Sequence, residues 1–212
     1  MSAAAQAQDS GPELARVALG DLLAQVAAKT PTPGGGAVAS VVGALAAALA
    51  GMVVSFSLGK KSLAMHEVSL QEAAGQLARA RDVFLRLSEE DAAAYGAMNE
   101  LQRLPESDSR RNLELPGAAR ASIMVPLATM AACTDLLRLF QKLAGTTNQH
   151  LRSDLAIAAV LARATADASR WNVRINLPSI ADPQERGGYV TEAERMASSA
   201  ADLAQRVESA CS

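Results

Sequence analysis

Asp91 is the residue whose type and position most call for chemistry. From Val68 to Leu104 apolar residues recur every seven positions: Leu70, Leu77, Phe84 and Met98 mark one place in the repeat, and Ala73, Ala80, Leu87, Ala94 and Leu101 the place three later. Asp91 falls in the first of these sets as its one charged member, whereas Glu89 and Glu90 fall on the solvent side. A carboxylate on a buried seam needs a partner, a proton or a ligand, because an isolated charge is costly to take out of water. Either it is structural, satisfied by an arginine or a backbone group, or burial tunes its pKa for proton transfer or for stabilising a cationic substrate.

Other polar residues stand in similarly apolar surroundings. In Thr30-Pro31-Thr32-Pro33-Gly34-Gly35-Gly36, two prolines hold the chain extended and three glycines allow approaches that side chains would forbid. The triplet is a simple loop, or, because it feeds the bare N-terminus of a buried helix, a place where N–H groups meet an anionic or carbonyl group. Lys60 and Lys61 follow Gly59 at the other end of that helix, where cations complement the dipole and where a ligand's carboxylate tail would also be well received. Ser153-Asp154 opens a later helix and reads as a cap or a first-turn dipole partner. Asn148 sits in the polar loop before it. Asn172 and Asn176, four apart, each cap a helix end or read the donors and acceptors of a heterocycle. His66 and His150 have no carboxylate spacing that suggests a triad or a metal site.

Much common chemistry is excluded by what the chain lacks. It has no Walker loop, no Gly-x-Gly-x-x-Gly, no His-Glu-x-x-His, no Gly-x-Ser-x-Gly and no Cys-x-x-Cys. Cys133 and Cys211 are far apart and without metal-ligand spacing, so no zinc site or disulfide framework is expected, and a reducing cytoplasm is the expected compartment. Twenty Lys plus Arg against 22 Asp plus Glu, with no basic block, argues against nucleic acid as a partner.

The elements that must position these residues are helices. Half of the residues are hydrophobic but only 3% are aromatic, so the core is made of small, closely packed side chains, a composition that favours helix over strand. Periodicity and stop signals predict about six helices in one domain: 12–28, 37–58, 68–104, 117–143 with a kink or start at Pro126, one opening at Ser153, and one from Pro183 or Glu185 to Ala210. Residues 1–11 read as a disordered lead-in and 12–212 as a single helical domain. The run 30–59 carries no charge and is long enough to cross a bilayer. Its alanine, serine and glycine content and its lack of Trp or Tyr at either edge favour a helix buried in a bundle, with no membrane partner. Ala39, Gly43, Ala47 and Gly51 form a small-residue stripe along it, suited to close helix approach.

In order, Thr32-Pro33-Gly34-Gly35-Gly36, Gly59-Lys60-Lys61, Asp91-x-x-Ala94-Tyr95, Leu104-Pro105, Val125-Pro126-Leu127, Ser153-Asp154-Leu155 and Asn172-Val173-x-Ile175-Asn176-Leu177 resemble the cyclodeaminase/cyclohydrolase family over about 21–206. The resemblance implies an all-helical homodimer that binds a tetrahydrofolate derivative near the glycine strap, with no cofactor or metal beyond that substrate. On it, Asp91 and Asp154 are catalytic; Pro33, Gly34, Gly35, Gly36, Pro126, Asn148, Ser153, Asn172 and Asn176 bind the substrate; and Lys60 and Lys61 receive its glutamate tail. The implied reaction is hydrolysis of 5,10-methenyltetrahydrofolate to 10-formyltetrahydrofolate, with formimidoyltetrahydrofolate cyclodeamination and non-catalytic folate binding as alternatives. Two departures from the family pattern are a short polar segment after Pro105 and Thr147-Asn148 where the family commonly has Gly-Asn; threonine does not tolerate the positive φ that glycine does.

Overall fold

The computed structural model describes residues 16–212, so the expected lead-in and the start of the first helix lie outside the described residues. Six α-helices run in order: α1 (Leu19–Ala27), α2 (Gly35–Ser55), α3 (Glu67–Arg103), α4 (Ser109–Leu143), α5 (Arg152–Asn176) and α6 (Pro183–Cys211), with short 3-10 turns at Lys61–His66, Gln149–Leu151 and Leu177–Ser179. No strand occurs among the described residues. The expected helical bundle is therefore what forms.

Its geometry follows from the seams. On α3, Leu70, Leu77, Phe84, Met98, Ala73, Leu87 and Leu101 are buried, as the seven-residue spacing requires. α2 packs on α3 and α5, and α4 packs on the same two, so these four close an antiparallel ring with α6 laid over α4 and α5. The ring is tight because Gly43 has no side chain: a Cβ there would stand 2.6 Å from the Phe84 ring. Gly51, on the same stripe, would meet nothing within 4 Å, so the close approach belongs to Gly43 and not to the whole stripe. Eleven residues of α2 are buried, which makes this charge-free helix part of the core of the bundle. α1, by contrast, buries none of its residues.

Two boundaries depart from expectation: α1 begins only at Leu19, after the extended Ala18, where helix was expected from residue 12, and α4 starts early. α4 begins at Ser109, not near Gly117, because Asp108 caps it by accepting the N–H groups of Arg110 (2.8 Å) and Arg111 (3.2 Å). Pro116 and Pro126 then lie inside a continuous helix. The connection from α3 is only a few residues long. At the other end of α4, Thr147 has no positive φ; it is buried, and its hydroxyl donates to the Leu143 carbonyl at 2.9 Å. Threonine thus fits this loop by satisfying a helix-end carbonyl.

Candidate active site

The N-terminus of α2 is built without a cap of its own. Gly34 precedes the helix and offers no side-chain acceptor, so the first-turn N–H groups are left to other parts of the fold. α3 answers with two residues on one face. Ser88 donates its hydroxyl to the Ala37 carbonyl at 3.1 Å, and Asp91, three residues on, accepts the backbone N–H of Ala37. The carboxylate reaches so far in only because residue 36 is glycine: a Cβ there would fall on the Asp91 carboxylate atoms. Glycine is needed at this position for room, not for an unusual backbone angle.

Desolvation raises the pKa of Asp91 above that of an ordinary aspartate, and the hydrogen bond from Ala37 opposes that rise. No lysine or arginine pairs with it among the described residues. Asp91 is half-buried, not fully buried like Phe84 and Met98 on the same seam, and of the partners such a carboxylate can have it has a backbone donor and an open cavity. That cavity, about 280 Å³, is walled by the strap (Pro31, Thr32, Gly34, Gly35, Gly36), by Asp91 and Tyr95 of α3, by Ser122 of α4, and by Asn172, Ile175 and Asn176 of α5. Asn172 faces the strap, its Oδ1 lying 3.7 Å from where a Gly35 Cβ would be. Such a site can hold a flat polar heterocycle against bare N–H groups and present one carboxylate to its reacting carbon. Its volume lies at the low end of ligand sites, which run from about 300 to 1,000 Å³.

Not every residue expected at the site is here. Pro33, joined to Thr32 by a cis peptide, turns instead toward an apolar groove between α1 and α2, beside Val38 and Leu45. Pro126 is buried and does not line the cavity, although Ser122, four residues before it, does. Lys60, Lys61, Asn148, Ser153 and Asp154 lie at the opposite end of the bundle, since Asn148 N–H bonds to Ser57 Oγ at 2.9 Å just beyond the C-terminus of α2. With 21 residues at about 1.5 Å each, α2 separates the two groups by roughly 30 Å. Within one chain these five residues cannot share the cavity of Asp91. Asn148 also caps the 3-10 turn by accepting the His150 N–H at 3.3 Å, and Asp154 lies in the first turn of α5, where its charge suits the dipole.

Tyr95, Ser122 and Ile175 were not singled out by the sequence as site residues. Two of them carried a signal: Tyr95 is one helical turn beyond Asp91, and Ser122 is four residues before a proline, where a helix carbonyl loses its partner.

Comparison with known proteins places the chain in a family. The family described as Formiminotransferase-cyclodeaminase matches residues 18–195. The chain is 32% identical over 180 residues to the formimidoyltransferase-cyclodeaminase of Mus musculus, covering 82% of this chain and 33% of that protein. It is 27% identical over 186 residues to a methenyltetrahydrofolate cyclohydrolase of Methylorubrum extorquens, covering 86% of this chain and 89% of that one. The crystal structure of a formiminotetrahydrofolate cyclodeaminase from Thermotoga maritima superposes with a TM-score of 0.86 at 33% identity, over 93% of this chain and 97% of the other. The chain thus spans about a third of the length of the mouse relative but nearly the whole of the two stand-alone proteins. A helical bundle of the same architecture and a family match over most of its length make this chain a member of the formiminotransferase-cyclodeaminase family.

Proposed function

We propose that the chain interconverts one-carbon forms of tetrahydrofolate by hydrolysing 5,10-methenyltetrahydrofolate to 10-formyltetrahydrofolate. The observation that carries this reading is the Asp91 carboxylate, desolvated, without a cationic partner and facing a cavity beside the bare N-terminus of α2. Water adds to the cationic methenyl carbon and gives a proton to Asp91. Asp91 then protonates N5 as the carbon–N5 bond breaks, and the hydroxyl proton leaves as the formyl carbonyl forms on N10. A negative charge next to the cation favours its binding, and a carboxylate with a raised pKa both takes and returns the proton more readily at neutral pH. The 27% identity to the Methylorubrum extorquens cyclohydrolase supports this reading.

A second reading is cyclodeamination, in which N10 attacks a formimino carbon on N5 and ammonia leaves. The higher identity to the mouse and Thermotoga maritima proteins favours it. Following the methenyl absorbance with purified protein separates the two: decay from methenyltetrahydrofolate supports the hydrolase, and growth from formiminotetrahydrofolate the cyclodeaminase. Tight folate binding with neither leaves a binding protein only.

We also read the chain as a homodimer whose second copy completes the site. The outer faces of the adjoining helices α2 and α5 leave Val38, Leu45, Phe56, Ile157, Val160, Trp171 and Ile175 in solvent, an apolar surface of the kind that marks association. A second α2 running antiparallel would carry Lys60, Lys61, Asn148, Ser153 and Asp154 to the mouth of the Asp91 cavity. The glutamate tail would then meet the lysines of the other subunit. A Leu45→Asp variant should sediment as a monomer with little turnover; a fully active monomer would contradict the shared site.

A further inference from the structure

Asn172 and Asn176 look interchangeable in the sequence, one helical turn apart on the same cavity wall, yet the structure gives them different surroundings. Asn176 has already committed one hydrogen of its side-chain amide, which donates to the backbone carbonyl of Ser122 at 2.8 Å across to α4. That carbonyl is available because of Pro126. In an uninterrupted helix the Ser122 carbonyl would accept the N–H of residue 126, and proline has none. Ser122 is only 4% exposed, so its carbonyl cannot rely on bulk water and needs a donor from elsewhere in the fold. The hydroxyl of Ser122 does not compete, since it donates to the Ala119 carbonyl at 2.8 Å.

Asn176 does not cap its own surroundings either. It ends α5 and precedes the Leu177–Ser179 turn, but its side chain makes no capping bond there. Its one protein hydrogen bond among those of the described residues reaches 54 positions back along the chain. Asn172 is the reverse case: its amide makes no hydrogen bond within the described protein, lines the cavity and faces Gly35. The last turn of α5, which carries both, is followed directly by a change to 3-10 geometry and by Pro178. Such a helix end frays unless something holds it.

We propose that Pro126 and Asn176 form a latch: the proline frees a carbonyl in the middle of α4, the asparagine closes on it, and the last turn of α5 is thereby held so that Asn172 stays over the strap. Asn176 is then a positioning residue acting through Asn172, and Pro126 contributes by the hydrogen bond it cannot make. The missing helix hydrogen bond and the long-range amide bond are one device. The latch itself rests on geometry alone; only the activity arm of its test relies on the folate reading.

Two double-mutant cycles test it, with melting temperature and kcat/KM on methenyltetrahydrofolate measured for each variant. In the first, Asn176→Ala is made with and without Pro126→Ala. With proline in place, the alanine leaves a buried carbonyl unsatisfied, and melting temperature should fall clearly. With Pro126→Ala, the new N–H satisfies that carbonyl within the helix, and Asn176→Ala should change the melting temperature little. An Asn176→Ala chain that folds only alongside Pro126→Ala gives the same answer, and equal falls in both backgrounds would overturn the latch. This arm needs no turnover, so an inactive wild type would sink the folate reading and leave the latch standing or falling by itself. In the second cycle, Asn176→Ala should lower kcat/KM about tenfold when Asn172 is present and less than about twofold when it is already Asn172→Ala, while the melting temperature still falls in both. A tenfold loss in both backgrounds would make Asn176 an independent substrate contact and overturn its positioning role.

Discussion

The two ends of α2 are finished in opposite ways. At the C-terminal end the chain closes on itself: Ser57 donates to the Val53 carbonyl at 2.6 Å and accepts Asn148 N–H, Gly59 turns with φ +71°, and its N–H reaches Glu67 Oε2 at 3.0 Å. At the N-terminal end nothing local does so. Gly34 offers no side chain, and the cap comes from Asp91, more than fifty residues later on another helix. An end closed by its own neighbours is finished when the chain folds, whereas an end capped from a distance leaves donors and a carboxylate facing a cavity. The end we propose as reactive is the one whose sequence supplies no cap.

Three substitutions press on that contrast. The largest effect is expected at Gly36→Ala, because the added Cβ falls on the Asp91 carboxylate and must push it off the Ala37 N–H. A displacement of about 1 Å at a catalytic group can cost roughly a hundredfold in rate. Alanine is also the better helix former, which offsets part of the crowding in stability. Steady-state turnover should therefore fall about a hundredfold in a protein that still melts cooperatively; unchanged turnover would mean that the close contact has no bearing on the reaction.

At the other end, replacing Lys60 and Lys61 together by Ala should weaken binding of a polyglutamylated substrate about fivefold more than that of the monoglutamate, since exposed charge pairs contribute about 0–1 kcal/mol each. Calorimetric titration with both forms decides it. Equal losses would return the lysines to closing the helix end and remove them from the shared site.

The smallest effect is expected between the ends. Gly51→Ala meets no atom within 4 Å in its own chain and should stabilise by about 0.5–1 kcal/mol with turnover unchanged. Thermal melting that shows a loss instead would report contact with a second chain at this point of the stripe.

What the sequence revealed of all this was uneven, for physical reasons. A seven-residue spacing over a 37-residue helix is long enough to fix both the element and the face, so α3 and the anomaly at Asp91 could be read directly. The start of α4 could not, because a capping aspartate at 108 and a proline at 116 point to different boundaries, and the capped turn prevailed. The site residues were recognised as a set, yet a linear order says nothing of which helix ends meet. Helix lengths would have: a 21-residue α2 between Gly34 and Lys60 already puts them too far apart for one ligand head to touch both. The hydrogen bond of Asn176 to the Ser122 carbonyl could not be read, because that carbonyl is orphaned by a proline fifty positions away. Tyr95 was missed because it was seen as part of a motif and not as a lining residue, and Ser122 because nothing was read from its place four residues before Pro126.

The central claim is that Asp91 is held unpaired for chemistry and not for stability, and Asp91→Asn tests it with two readings on one protein. Because burial raises its pKa in the folded state, the favourable contribution of Asp91 is present below the unfolded value of 3.8 and is lost as pH rises through its folded value. At neutral pH the ionised carboxylate is a cost. Asparagine removes that charge and still offers an oxygen to the Ala37 N–H. At pH 7 the variant should melt at the same temperature or higher and turn over methenyltetrahydrofolate at least about a hundredfold more slowly. A large fall in melting temperature with near-normal turnover would contradict the account.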